Sequence, residues 1–391
     1  MTMKKYGLCS SLWRSTFLQP HAEMRDTSLD FLKGAGCLLM VLAHAPVNAT
    51  NHATSTLQFL GGFAPVLFFA VNGVTSKLQS KRARPDKFLL LYLFIGYLGL
   101  SWNGVIQGDF FSNPQFEMIQ IIATGTMVVF VIERAFKPSS SMYLILAIVA
   151  FCIHLVLHDR LPDFPLRNFI LTPGVFPVFP WLFLFFAGVN AYYCNNKYNL
   201  FLGAALVTLL LALSLSGVQL DLGNKWNMSV GYFLLSTIGL LVSFLVSRKY
   251  LHNLKTCNPI LYLGRNSLLF LFVHISWCRV SLWPTVNPFA IWISIAALSL
   301  LSVGFLQFAK HYYESYFSNP FTHSIVVWCG LAILITAIPL LVSFPRLIVM
   351  LEIFAGTLFA LNYRSLSEMI KCRPASIAPT KARRSEYPKT L

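Results

Sequence analysis

Long apolar runs separated by short polar connectors dominate this chain. Windows of roughly 17–25 residues, the length that crosses ~30 Å of hydrocarbon as a helix, fall at 29–47, 57–77, 88–107, 115–133, 142–158, 175–194, 198–217, 229–247, 259–278, 288–308, 323–343 and 347–363. The pattern predicts an all-α polytopic transmembrane bundle of about 12 spans (10–12), the fifth and twelfth windows being the weakest. Connectors run from a few residues to about fifteen without any shift in composition, so residues 29–363 read as one membrane domain. A polar segment, 1–28, precedes it. A basic tail, 364–391, follows; with Pro374, Pro379 and Pro388 among seven basic residues, it is expected to be disordered. No internal repeat is visible, although repeat symmetry in transporters is often weak.

Composition fixes the solvent. Of 391 residues 56% are hydrophobic and 11% charged, and 34 Phe stand against 14 acidic residues, more apolar surface than a water-soluble core can hide. The net charge of +16 is a matter of orientation. With twelve spans, one set of loops and the tail carry 23 Lys and Arg, while the alternate loops hold only Arg160, Arg167, Lys225, Arg279 and Arg346. By the positive-inside rule both termini face the cytoplasm, and the basic side meets membrane lipids with anionic headgroups. Nucleic-acid binding is excluded on that distribution. The stretch before Leu29 has no apolar core and no small-residue cleavage site, so the first span is expected to act as an uncleaved signal. Eight cysteines without a Cys-x-x-Cys give neither a disulfide framework nor a zinc site, and no metal is expected.

The chemistry concentrates in two spans. The first holds Asp30, Lys33 and His44. Ionisable groups in hydrocarbon cost roughly 2.5–3.5 kcal/mol each on insertion scales, so they need partners or a task. Lys33 and His44 are eleven residues apart, which brings them to one helix face about 16 Å apart along the axis. Asp30, three residues before Lys33, is placed to pair with it; a structural ion pair or a snorkelling lysine is the alternative. Gly34, Ala35, Gly36 and Cys37 let something approach the backbone closely, either a neighbouring helix or a thin cofactor tail. His52, in a loop free of Lys and Arg, is either solvated or near the mouth of a site holding His44. In the second span Asn72 can hydrogen-bond across helices, and in the sixth Trp181 suits an aromatic-belt anchor. The ninth span contains Arg265, Asn266, Ser267 and His274. Read as a straight helix it raises His274 about 22 Å from Pro259, close to the depth of His44.

These residues resemble the transmembrane acyltransferase superfamily, which includes acyltransferase-3 proteins of bacterial envelopes and relatives of heparan-alpha-glucosaminide N-acetyltransferase. The acyltransferase-3 pattern of Leu-Asp, a basic residue, ten residues and a histidine is similar to Leu29-Asp30, Lys33 and His44, with Lys where Arg is commoner. Its Phe-Phe-x-x-Ser-Gly resembles Phe68-Phe69-Ala70-Val71-Asn72-Gly73, and its late Leu-Gly-Arg-x-Ser-Leu with a following histidine resembles Leu263 to Leu268 and His274. The heparan branch is similar at His52-Ala53-Thr54 and at Phe179-Pro180-Trp181 with Gly188. The likeness covers about residues 25–80, 175–190 and 260–275.

The resemblance implies acetyl-CoA or another acyl-CoA as co-substrate and an envelope glycan or amino sugar as acceptor, in a bacterial inner membrane. Catalytic roles would fall to His44, His52, Asp30 and Lys33, with His44 first as base and Asp30 orienting Lys33. Lys33, Gly34, Gly36, Arg25 and Arg265 would hold the cofactor, and Asn72, Trp181, Ser267 and His274 would line the acceptor side. O-acylation ranks ahead of N-acylation. The competing class is a proton-coupled carrier or lipid-linked sugar flippase, in which Asp30 and His44 relay protons. The acceptor and the oligomeric state, an oligomer included, stay open.

Overall fold

A computed structural model describes residues 26–46, 52–108, 114–158, 160–162, 164, 166–172, 174–250, 258–280, 287–314 and 320–371. Arg25 and the tail beyond Lys371 lie outside the described residues. Among those described, every regular element is a helix: α1 (Thr27–His44), α2 (His52–Gly61), α3 (Ala64–Ser80), α4 (Pro85–Leu98), α5 (Leu100–Gln107), α6 (Met118–Phe136), α7 (Ser140–His158), α8 (Val178–Tyr193), α9 (Asn196–Leu215), α10 (Val230–Tyr250), α11 (Pro259–Arg265), α12 (Ser267–Arg279), α13 (Pro288–Glu314), α14 (Ile325–Leu341) and α15 (Pro345–Lys371). One-turn helices at Arg167–Ile170 and Pro320–His323 lie in connectors.

Helix therefore falls in each of the twelve windows, but the count of spans differs from the expectation. Eight helices among the described residues are long and apolar enough to cross a bilayer, or nine if the bent pair α11 and α12 is one span. The rest fall short for physical reasons: α8 and α14 have only 16 and 17 residues, and α1 carries Asp30 and Lys33 in 18. The chain is a multi-pass helical membrane protein.

Local chemistry marks the helix ends. Asp26 caps α1 by accepting from the Ser28 amide at 2.8 Å, Asn195 caps α9 through the Tyr198 amide, and Asn258 caps α11 through that of Ile260. Proline opens α4, α11 and α15, where its missing N–H is one of the orphan donors anyway. Lipid gives helices no hydrophobic reason to associate, so close packing and polar contacts must hold the bundle. The centre is α8, buried continuously from Pro180 to Ala191 and packed on α3, α6 and α7. There the backbones of α3 and α8 touch: a Cβ at Gly73 would strike the Phe185 carbonyl, and one at Gly188 the Cα of Ala70. By contrast α9 buries only Asn199, whose amide donates to the Ala191 carbonyl at 2.7 Å.

The ninth span is not straight. Its two halves meet at Asn266 with a bend of 101°. Arg265-Asn266-Ser267 is a polar triplet inside an apolar run, and it supplies partners for the backbone groups that a break in lipid would orphan. The Asn266 amide donates to the Tyr262 carbonyl at 2.9 Å, its oxygen accepts from Gln307 at 3.1 Å, and Arg364 donates to the Arg265 carbonyl at 3.3 Å. As a result α11 lies across α1, with Leu263 beside Cys37, Ile260 against Gly34 and Gly264 against Asp30. Then α12 climbs alongside α1.

A histidine pair as candidate active site

That climb decides the geometry. Leu263 stands against Cys37, and from there His44 lies seven residues up α1 while His274 lies seven residues above Ser267 on α12. Each rise is about 10 Å. The two imidazoles meet: His44 Nδ1 is 2.9 Å from His274 Nε2, with ring centroids 5.2 Å apart and an interplanar angle of 18°. His274 is fully buried and His44 half-buried. Trp102 of α5 completes the wall, its ring centroid 6.5 Å from each histidine, and Phe270 stacks on His274 at 5.3 Å.

The hydrogen bonds orient the pair. His274 Nδ1 lies 3.0 Å from the Phe270 carbonyl, which can only accept, so that nitrogen carries the proton. In the neutral ring Nε2 is then an acceptor, and His44 Nδ1–H donates to it. This leaves the lone pair of His44 on Nε2, facing away from the pair. A proton taken there would be stabilised by the His274 lone pair, the arrangement expected of a base with an orienting partner.

About 21 Å down α1 the same two spans share an ion pair. Arg265 Nε donates to Asp30 Oδ2 at 3.1 Å, with the carboxylate almost wholly buried. The ion pair thus bridges two helices, beside the expected neighbour Lys33, which is half-buried on α1. Close by, Asp26 accepts from Tyr192 Oη at 2.7 Å; burial acts to raise its carboxyl, but the hydrogen bonds from Ser28 and Tyr192 hold it below the ordinary range.

The other expected residues are placed elsewhere. The small-residue groove is filled by protein: a Cβ on Gly34 would strike the Ile260 carbonyl, and one on Gly36 would lie 2.8 Å from the Phe68 ring. These glycines serve helix packing, and a cofactor tail threaded past them is not retained. Asn72 donates at 2.8 Å to Phe68 of its own helix instead of across helices. Trp181 is fully buried among Phe69, Phe176 and Tyr232, so the belt-anchor expectation is corrected: it is a core residue. Ser267 opens α12 a full seven residues below His274. His52 opens α2, exposed, and makes no hydrogen bond to either histidine among the described residues.

Four features escaped the pattern of the sequence. Trp102 lies five residues from the end of the third window, where a tryptophan reads in sequence as an interfacial anchor. Lys77, one of the 23 residues counted with the basic loops, is buried against Glu133 at 2.9 Å, with Tyr143 donating to the same carboxylate at 2.8 Å and the rings of Tyr143 and Tyr193 under the ammonium. At the opposite end Glu117 caps α6 and accepts from Gln107 at 2.9 Å. Deeper still, Glu352 of α15 is fully buried against Gly104 with neither carboxyl oxygen hydrogen-bonded. Among the described residues no group of three His, Cys, Asp or Glu could hold a metal ion. No protein-family model and no curated protein matches this chain.

Proposed function

We propose that the chain is an integral-membrane acyltransferase of a bacterial inner membrane, moving an acetyl or other acyl group from cytoplasmic acyl-CoA to a hydroxyl or amine of an envelope glycan. The observation that carries this reading is the histidine pair. His44 and His274 come from two distant segments that separately resemble acyltransferase-3 motifs, and they meet in the geometry of a base and its orienting partner. His44 Nε2 takes the proton of the acceptor as its oxygen or nitrogen attacks the thioester carbonyl. The new C–O or C–N bond forms, the C–S bond breaks, and the same proton passes from His44 to the CoA thiolate. Arg265 and Lys33, toward the basic end of the bundle, are the cations within the membrane domain suited to the phosphates of CoA.

The test is transfer of radiolabel from acetyl-CoA to envelope glycan in membranes holding the wild-type chain or His44→Ala. Label is expected in glycan with the wild type and at least about 10²-fold less with the variant. Failure of the wild type to bind CoA or transfer label from any acyl donor would sink the reading. A proton-coupled carrier would then take its place, favoured by the broken helix at Asn266 and by the buried carboxyl of Glu352.

A further inference from the structure

The outer loops predicted by the charge distribution hold five basic residues, and two of them converge on the histidine pair. Lys225 lies in the connector before α10, and Arg279 is the last residue of α12. Arg279 follows His274 by five residues on one half-helix, and its Nη2 donates at 2.9 Å to the Val105 carbonyl of α5, the helix that carries Trp102. Lys225 reaches the pair beside Gly62, which follows the Gly61 that packs on Ala43, the neighbour of His44. Its aliphatic stem lies 3.9 Å from where a Cβ of Gly62 would be, and its ammonium stands 4.4 Å over the ring of Trp226.

Neither cation has a carboxylate partner among the described residues. Lys225 is held by a ring face and Arg279 by a carbonyl. Among the described residues the acids toward this end are engaged or remote: Glu117 accepts from Gln107, Asp221 accepts from the Gly223 amide, and Glu352 lies within the seam of α5 and α15. Burial without an anion pushes the Lys225 amine below its ordinary value, so the fold sustains an unfavourable charge here. A cation kept against that cost, on the side of the protein that otherwise avoids cations, needs an anion that arrives from solution.

We propose that Lys225 and Arg279 form an anion subsite at the outer mouth of the histidine pair, and that the acceptor it takes is acidic, carrying a carboxylate or a phosphate beside the group to be acylated. Arg279 reaches this mouth from α12 and Lys225 from beside Gly62, so an anion held there brings the neighbouring hydroxyl or amine toward Nε2. Arg279 offers the planar fork that pairs with both carboxylate and phosphate, while Lys225 supplies a point charge. Only the word acceptor rests on the acyltransferase reading; anion binding does not.

The experiment separates the two. Purified full-length protein in nanodiscs is titrated with a neutral glucose oligosaccharide, a glucuronic-acid oligosaccharide and glucose 1-phosphate, following the fluorescence of Trp226 under Lys225; Trp226→Phe identifies its share of the signal. The two acidic probes should bind at least tenfold more tightly than the neutral one, with affinity falling as salt is raised. Lys225→Gln and Arg279→Gln should each remove most of that preference, the glutamine at 279 keeping an N–H donor for Val105. Whichever acidic probe binds more tightly distinguishes a uronate from a phosphate source. Equal binding of neutral and acidic probes, or an acidic preference unchanged in both variants, overturns the subsite. Acidic binding without any acyl transfer leaves the subsite standing and removes the enzyme reading instead.

Discussion

At the scale of residues, the site depends on which nitrogen holds which proton. Because the Phe270 carbonyl fixes His274 as an Nδ1–H tautomer, replacement of His274 is predicted to act through His44. In His274→Phe the buried Nδ1–H of His44 loses its acceptor, an omission worth about 1–3 kcal/mol. Acyl transfer should fall by about 10²-fold, with the KM for acyl-CoA little changed. His274→Gln restores an acceptor oxygen and should recover part of the rate. A side-by-side measurement of kcat and KM for both variants checks this, and equal rates in the two would remove the orienting role. The histidines themselves were legible in the sequence, since an imidazole in an apolar run advertises itself. Their hydrogen bond was legible only as equal depth. Trp102 and Glu352 were not, because one aromatic or one acid in a 20-residue span carries no period that a pattern can amplify.

At the scale of elements, the bend at Asn266 is the departure that matters. A straight reading of the ninth span gave nearly the right depth for His274 by the wrong path; the chain first crosses α1 and then climbs. Small residues at 34 and 264 make the crossing possible, since a Cβ on either would meet backbone of the other segment. Gly264→Val is therefore predicted to part α1 from α11, strain the Asp30–Arg265 pair and destabilise the protein by about 1–3 kcal/mol or more. A thermal melt in detergent against the wild type measures it. An unchanged melting point would mean that the crossing is not tight. Gly-x-Gly in the first span read equally well as packing or as a passage because a stripe of small residues is the same in sequence either way. Only the occupant decides, and here it is the Ile260 backbone and the Phe68 ring.

At the scale of the whole molecule, the fold class followed from composition, whereas the number of spans did not. Length and hydropathy rank helices singly, and α1, α8 and α14 are too short or too polar to qualify alone. Their neighbours supply what lipid would not. Read with twelve spans, the sequence puts 23 basic residues on one side against five on the other, which predicts that Val218→Cys, in a connector of the sparse side, reacts in intact cells with a membrane-impermeant maleimide. Lys137→Cys should react only after permeabilisation, and the reverse pattern would invert the topology. The same architecture bears on how the protein is made. Asp30 and His44 find their partners 235 and 230 residues later in the chain. At about 5–20 residues per second of synthesis, the first helix waits roughly 10–50 s without Arg265 and His274 before its complement leaves the ribosome. Such a helix is a poor guest for lipid in the interval, and the insertion machinery must shelter it until the ninth span arrives.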